Sequence, residues 1–183
     1  MAALRKAADQ GDGKAMDDLG DLYDRGDGVL KDSLEACKWF RKAAEQGFAR
    51  AQCRLGWMCA NGENVPKDFG KAVVWFRKAA DQGFAMGEFA LGRAYYKGEG
   101  VFKDLPESAR WFRKAADHGH TPSQDIIGLL YLNGEGVPKD AVEAVNWFRQ
   151  AALAGYAQAQ FNLGAAYAKG VGVTREGTRI TSR

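Results

Sequence analysis

Long apolar runs, regularly spaced cysteines and a strong excess of one charge are all missing from this 183-residue chain, and each absence closes a class of function. No apolar stretch approaches the roughly 20 residues that span a bilayer, so membrane insertion is not expected. A net charge of +3 supplies no general attraction to nucleic acid or to an anionic surface, and no nucleic-acid partner is expected. Residues Met1 to Gln10 hold no hydrophobic segment ending in a small-residue cleavage site, so no signal peptide is visible and the compartment is left open. The cysteines are three, Cys37, Cys53 and Cys59, an odd set without metal-ligand spacing. On a helix Cys53 and Cys59 point about 120° apart, which suits small buried hydrophobes better than a bridge. Histidine is confined to His118 and His120. No nucleophile–base–acid set recurs near them, and His120 fills a slot held elsewhere by Phe48, Phe84 and Tyr156, which points to packing. The Gly-x-Gly-Val loops lack the Lys-Ser/Thr that follows a phosphate-cradling loop. Neither an enzyme, a metal site nor a cofactor is expected.

What the chain does have is a repeat of 36 residues. Trp39-Phe40, Trp75-Phe76, Trp111-Phe112 and Trp147-Phe148 recur in step, each followed by a basic residue and then by paired alanines such as Ala43-Ala44 and Ala79-Ala80. Gly20, Gly56, Gly92, Gly128 and Gly164 keep the same interval, as do Val29, Val65, Val101, Val137 and Val173. Four full units cover residues 11–46, 47–82, 83–118 and 119–154, and a partial fifth covers 155–173. Residues 1–10 match the end of a unit, the second helix of a preceding partial repeat, so the chain reads as a segment of a longer array or as one with an unusual first cap; residues 174–183 read as a disordered or short tail.

Each unit reads as two helices. Ala51, Leu55, Met58 and Cys59 follow an i, i+4, i+7, i+8 pattern, the mark of an amphipathic helix. Gly62 sits where that helix ends. Two residues on, Gly28, Gly100, Gly136 and Gly172 share a slot with Asn64, the substitute expected where φ must be positive. Asp32, Asp68, Asp104 and Asp140 then precede the second helix, where a carboxylate accepts the free N–H groups of the first turn. The glycine of the Leu-Gly pairs costs roughly 1 kcal/mol inside a helix, so its return implies close helix approach. Two helices cannot bury both faces alone, and each unit must stack on the next, which predicts an all-α solenoid.

The string A-x-x-W-F-[R/K]-x-A-A-x-x-G, then L-G-x-x-Y, then G-x-G-V-x-K-D, resembles the Sel-1-like repeat family, a relative of the tetratricopeptide repeat, over residues 11 to 172. Departures are Cys59 in place of tyrosine, Asn64 in place of glycine, and Thr174-Arg175 in place of Lys-Asp. The resemblance implies a right-handed α–α superhelix with the first helix of each unit on the concave side, and work as an adaptor or scaffold binding another protein or peptide. A cysteine-rich branch of the family is linked to β-lactam binding and hydrolysis. That branch carries a regular cysteine pair in each unit, which this chain does not.

If first helices line a groove, their non-repeating positions are the ones free to suit a partner. These are Lys14, Asp17, Asp21, Asp24 and Arg25 in the first unit, Arg50, Cys53, Trp57 and Asn61 in the second, and Met86, Phe89, Arg93, Tyr96 and Lys97 in the third. Asp125, Leu129 and Asn133 follow in the fourth, and Phe161 and Lys169 in the fifth. The three aspartates read as an acidic ridge that would receive the basic part of an extended ligand, with Trp57 and Arg93 as anchors of hot-spot type. The ladder Arg41-Lys42, Arg77-Lys78, Arg113-Lys114 and Arg149 reads as cations favoured near helix C-termini. A rival structural role is end-to-end self-association through apolar edges at Leu4, Ala7 and Ala8 and near Val173.

Overall fold

A computed structural model describes residues 1–172, and among these there are ten α-helices and no strand. In chain order they are α1 (Ala2–Asp9), α2 (Gly13–Arg25), α3 (Ser33–Glu45), α4 (Ala49–Asn61), α5 (Phe69–Ala80), α6 (Ala85–Lys97), α7 (Leu105–Asp117), α8 (Thr121–Asn133), α9 (Ala141–Leu153) and α10 (Ala157–Ala168). Val173 and the expected tail over 174–183 lie outside the described residues. The chain divides into two compact units, Met1–Lys103 with α1 to α6 and Asp104–Arg183 with α7 to α10.

Local chemistry sets where the helices begin. Asp32 Oδ1 accepts from the backbone N–H groups of Leu34 and Glu35 at 3.0 Å, and Asp140 Oδ1 does the same for Val142 and Glu143. Asp68 and Asp104 cap α5 and α7 through Lys71 N and Glu107 N, both at 2.9 Å. Each such cap contributes about 1 kcal/mol. The slot read as packing at His120 does more than pack: its Nδ1 caps α8, receiving Ser123 N at 3.3 Å and lying 2.8 Å from Ser123 Oγ. Asn64 is the one non-glycine with positive φ (57°) among the described residues, and its Nδ2 donates to Ser33 O at 3.1 Å.

Packing explains the recurring glycines and aromatics. A Cβ on Gly20 would lie 2.7 Å from the Phe40 ring, one on Gly56 2.5 Å from Phe76, and one on Gly128 2.6 Å from Phe148. The phenylalanines of α3, α5 and α9 therefore seat directly on the backbone of α2, α4 and α8. Beside it the tryptophan indole N–H is held by the glutamate one turn earlier: Trp39 to Glu35 at 3.1 Å, Trp111 to Glu107 at 2.8 Å, Trp147 to Glu143 at 2.9 Å. In α5 that earlier position is Lys71, and Trp75 is half-buried where the other three are buried.

The basic ladder is used inside the fold, beyond the dipole role read from sequence. Arg5, Arg77, Arg113 and Arg149 donate to the hydroxyls of Tyr23, Tyr95, Tyr131 and Tyr167 on the following helix, at 2.8, 2.5, 3.0 and 3.0 Å. Lys42, Lys78 and Lys114 lie 4.1, 4.3 and 4.0 Å from the rings of Trp39, Trp75 and Trp111. At the same offset from Arg41 stands Cys59, so that pair lacks the tyrosine hydroxyl.

Candidate functional site

In the unit Met1–Lys103 three first helices, α2, α4 and α6, carry most of the residues singled out from sequence. The acidic ridge of α2 is present, but it is already occupied. Arg50 of α4 donates through Nε to Asp17 Oδ2 at 2.5 Å, through Nη2 to Asp18 Oδ1 at 3.0 Å, and through Nη1 to Asp21 Oδ2. Arg54, one turn on, reaches Asp24 at 2.5 Å and Asp21 at 3.8 Å. The three aspartates expected to receive a ligand's basic part are thus already paired from within, because the neighbouring hairpin brings two guanidinium groups against them. Asp17 is moreover only 3% exposed, with Oδ1 left without a hydrogen-bond partner. Burial pushes its carboxyl above the ordinary value, while Arg50 pulls the other way and Asp21 and Asp18 add to the rise.

Trp57 sits at the centre of this face. Its ring is tilted 60° to Phe76 at 4.9 Å, and the Arg93 guanidinium lies 4.7 Å from its centroid. Between α2, α4 and α6 opens a cavity of about 280 Å³, with Asp17, Asp21, Arg25, Arg50 and Arg54 on its polar side and Phe40, Cys53, Trp57, Phe84 and Met86 on its apolar side. Phe89 is half-buried, whereas Tyr96 and Lys97 are exposed. Arg93 and Lys97 both approach Glu99, at 3.9 and 3.8 Å. Asn61 donates to Glu63 Oε1 at 2.8 Å.

In the unit Asp104–Arg183 the expected residues stand apart in character. Asp125 is 4% exposed and accepts from Asn162 Nδ2 at 2.7 Å, so it is an internal helix-to-helix contact, not an open one. Leu129 is half-buried, and Asn133 donates to Glu135 Oε1 at 3.0 Å. Phe161 is 70% exposed, and Lys169 caps α10 in the open. Burial holds the Asp125 carboxyl above its ordinary value of 3.8, against the pull of Asn162. A carboxyl raised in the folded state binds its proton more tightly there than in the unfolded chain. Stability therefore falls as pH rises from 3.8 through the raised value. Asp125→Asn should remove that slope: in circular-dichroism melts the wild type gains on the variant between about pH 7 and about pH 4. Parallel melting curves at both pH values would contradict it.

Residues that the sequence reading passed over are Asp18, Arg54 and Phe84. A signal for Arg54 existed: Asp17–Arg50 and Asp21–Arg54 share a separation of 33, close to one repeat. Among the described residues no group of three or more His, Cys, Asp or Glu side chains is placed to hold a metal ion. Cys37, Cys53 and Cys59 are free and buried, with no counterpart to a pair of cysteines in every repeat. Burial raises the Cys53 thiol to about 12, so the cysteine lining the cavity is not a nucleophile at neutral pH. No helix among the described residues is long and apolar enough to cross a membrane.

Stacked helical hairpins with a recurrent Gly–Phe contact define an α-solenoid repeat protein. The Sel1 repeat matches residues 4–12, 13–48, 49–84, 85–120, 122–156 and 157–178, and the chain belongs to the Sel1 repeat family. Its repeats are drawn there two residues later than the spacing of the glycines placed them. Family members generally act as protein-interaction scaffolds and are typically not enzymes. A protective antigen of uropathogenic Escherichia coli strains displaying an SLR fold is similar at 41% identity and a TM-score of 0.90, with 95% of this chain and 37% of that chain covered. A Sel1 repeat protein from Oxalobacter formigenes is 41% identical with a TM-score of 0.84, covering 90% of this chain and 66% of that one. Helicobacter pylori cysteine rich protein B follows at 27% identity and a TM-score of 0.56, covering 69% of this chain and 96% of that chain. No curated protein matches the chain.

Proposed function

We propose that this chain is an interaction scaffold that binds an extended segment of another protein across α2, α4 and α6, with Trp57 and Arg93 as its anchors. The observation that carries this reading is the indole of Trp57, held between Phe76 and Arg93 at the mouth of a cavity of about 280 Å³. Ligand pockets for cofactors and drug-sized molecules run from about 300 to 1,000 Å³, so this one is scaled to a single side chain of a partner. Tryptophan and arginine are the residue types on which interface energy concentrates, commonly at 2 kcal/mol or more each. Phe89, Tyr96 and Lys97 extend the same helix, and Asn61 continues α4. Asp17, Asp21 and Arg50 serve the reading as the wall of the cavity, and Asp24 is paired with Arg54, so none of them is a free contact. The unit Asp104–Arg183 offers Leu129, Asn133, Phe161 and Lys169 as candidate contacts of its own, while Asp125 supports α8 against α10.

A displayed peptide library panned on the full chain tests this. Peptides enriched by the wild type should bind the Trp57→Ala, Arg93→Ala double variant more than tenfold more weakly, with the far-ultraviolet helical spectrum retained. Unchanged affinity in the double variant would remove this face from consideration.

A further inference from the structure

The sign of the charge that a partner meets on this face follows from which of its ionic groups are already spent. Asp17, Asp18 and Asp21 all receive hydrogen bonds from Arg50, and Asp24 is paired with Arg54. A lysine or arginine brought in by a ligand would have to displace guanidinium groups that are fixed by the fold and tethered beside those carboxylates. The cations are differently placed. Arg25 lies in the last turn of α2, on the stripe of Asp17 and Asp21, lines the cavity and is exposed; it forms no ion pair among the described residues. On α6, where Arg93 lies 4.7 Å from the Trp57 ring, Arg93 and Lys97 share one carboxylate, Glu99, at 3.9 and 3.8 Å, beyond the 2.7–2.9 Å of a hydrogen-bonded ion pair. One open cation, Arg25, therefore stands beside an apolar hole walled by Trp57, Phe84 and Met86. This arrangement reverses the expectation from sequence, in which the aspartates of α2 called for a basic ligand.

We infer that the segment bound here is acidic: a large apolar side chain of the partner protein fills the cavity beside Trp57, and a carboxylate next to it pairs with Arg25. The inference rests on the scaffold reading above and adds the chemistry of the partner. A charge pair at the rim of such a site acts mainly on selectivity and salt dependence, and an apolar anchor acts on affinity, so the two parts separate experimentally.

The experiment is fluorescence anisotropy on the full chain at fixed salt with three short labelled peptides: tryptophan flanked by glutamates, tryptophan flanked by lysines, and alanine flanked by glutamates. The first should bind, and the other two should bind at least about tenfold more weakly. Arg25→Glu, an exposed change checked for helicity, should invert the preference between the first two. Equal binding of the glutamate and lysine peptides, or a preference untouched by Arg25→Glu, overturns the inference. So does a single-stranded DNA oligomer that competes as well as the acidic peptide, since general anion attraction would then suffice. If no designed peptide binds while library-selected peptides still depend on Trp57 and Arg93, the acidic identity falls and the scaffold reading stands.

Discussion

Replacing Gly100 with alanine is expected to destabilise the unit Met1–Lys103 by about 2–5 kcal/mol, whereas Gly28→Ala, in the same slot of the repeat, should cost only about 1–2 kcal/mol. Both glycines have positive φ, 77° and 72°, so both substitutions meet the left-handed penalty. Only at Gly100 does the new methyl also strike the backbone: its Cβ would lie 2.2 Å from Phe69 O and 2.9 Å from Gly70 N, at the start of α5. Nothing lies within 4 Å of the corresponding point on Gly28. Main-chain atoms at a capped helix start cannot swing aside as a side chain does, so the loop or the helix end has to move. Gly100→Asn should be the milder change, because Asn64 already occupies this slot with a positive φ and turns its amide to Ser33 O, the position equivalent to Phe69 O. Urea denaturation followed by circular dichroism measures all three variants. Equal losses for Gly28→Ala and Gly100→Ala would show that φ alone sets the cost and that the loop-to-helix contact contributes nothing.

Phe148→Ala is expected to cost about 3–5 kcal/mol and to unfold the Asp104–Arg183 unit first. The ring is fully buried and rests on Gly128, where a Cβ would stand 2.6 Å away, so its removal leaves a cavity lined by the backbone of α8. Relaxation is limited on both sides: Trp147 is tied to Glu143 at 2.9 Å, and Tyr131 is clamped by Arg113 at 3.0 Å. Stability in stacked repeats is close to a sum of repeat and nearest-neighbour contributions, so the loss should be regional. Hydrogen exchange should show faster exchange in α8 and α9 with α2 and α3 little changed. A uniform rise along the whole chain would argue for one cooperative block.

Much of this architecture could be read one residue at a time. The aspartate caps, the tight loop slot that admits Asn64, and the glycine beneath each phenylalanine all recur at a spacing of 36. Each depends on neighbours that repeat with it, so a single line of sequence carries both partners of the contact. His120 escaped because two demands meet at one position: it packs as Phe48 and Phe84 do, and its ring also caps α8. Arg77, Arg113 and Arg149 were seen as part of a ladder of charge and Arg5 was not, yet the tyrosine partners of all four recur at a constant offset of 18, which was available to the same counting.

The candidate site was legible as a set of positions and not as a pattern of charge. Spacing placed Asp17, Asp21, Arg50, Trp57 and Arg93 on successive first helices, and the folded chain brings the first four together around one cavity and Arg93 against the Trp57 ring. Which of them remain open to a partner depended on pairings that occur once, between side chains of adjacent hairpins, and a contact made once leaves no period to detect. Helices, caps and hairpin packing were therefore determined by the amino-acid order, through interactions that are local or repeated. The burial of Asp17 and Asp125, the pairing of the acidic ridge with Arg50 and Arg54, and the exposure of Arg25 were decided only when the helices stacked. Solvent access and ion pairing at these positions depend on side-chain direction across a distance of one repeat, and a few ångströms there set whether a charge faces water or a partner already in place.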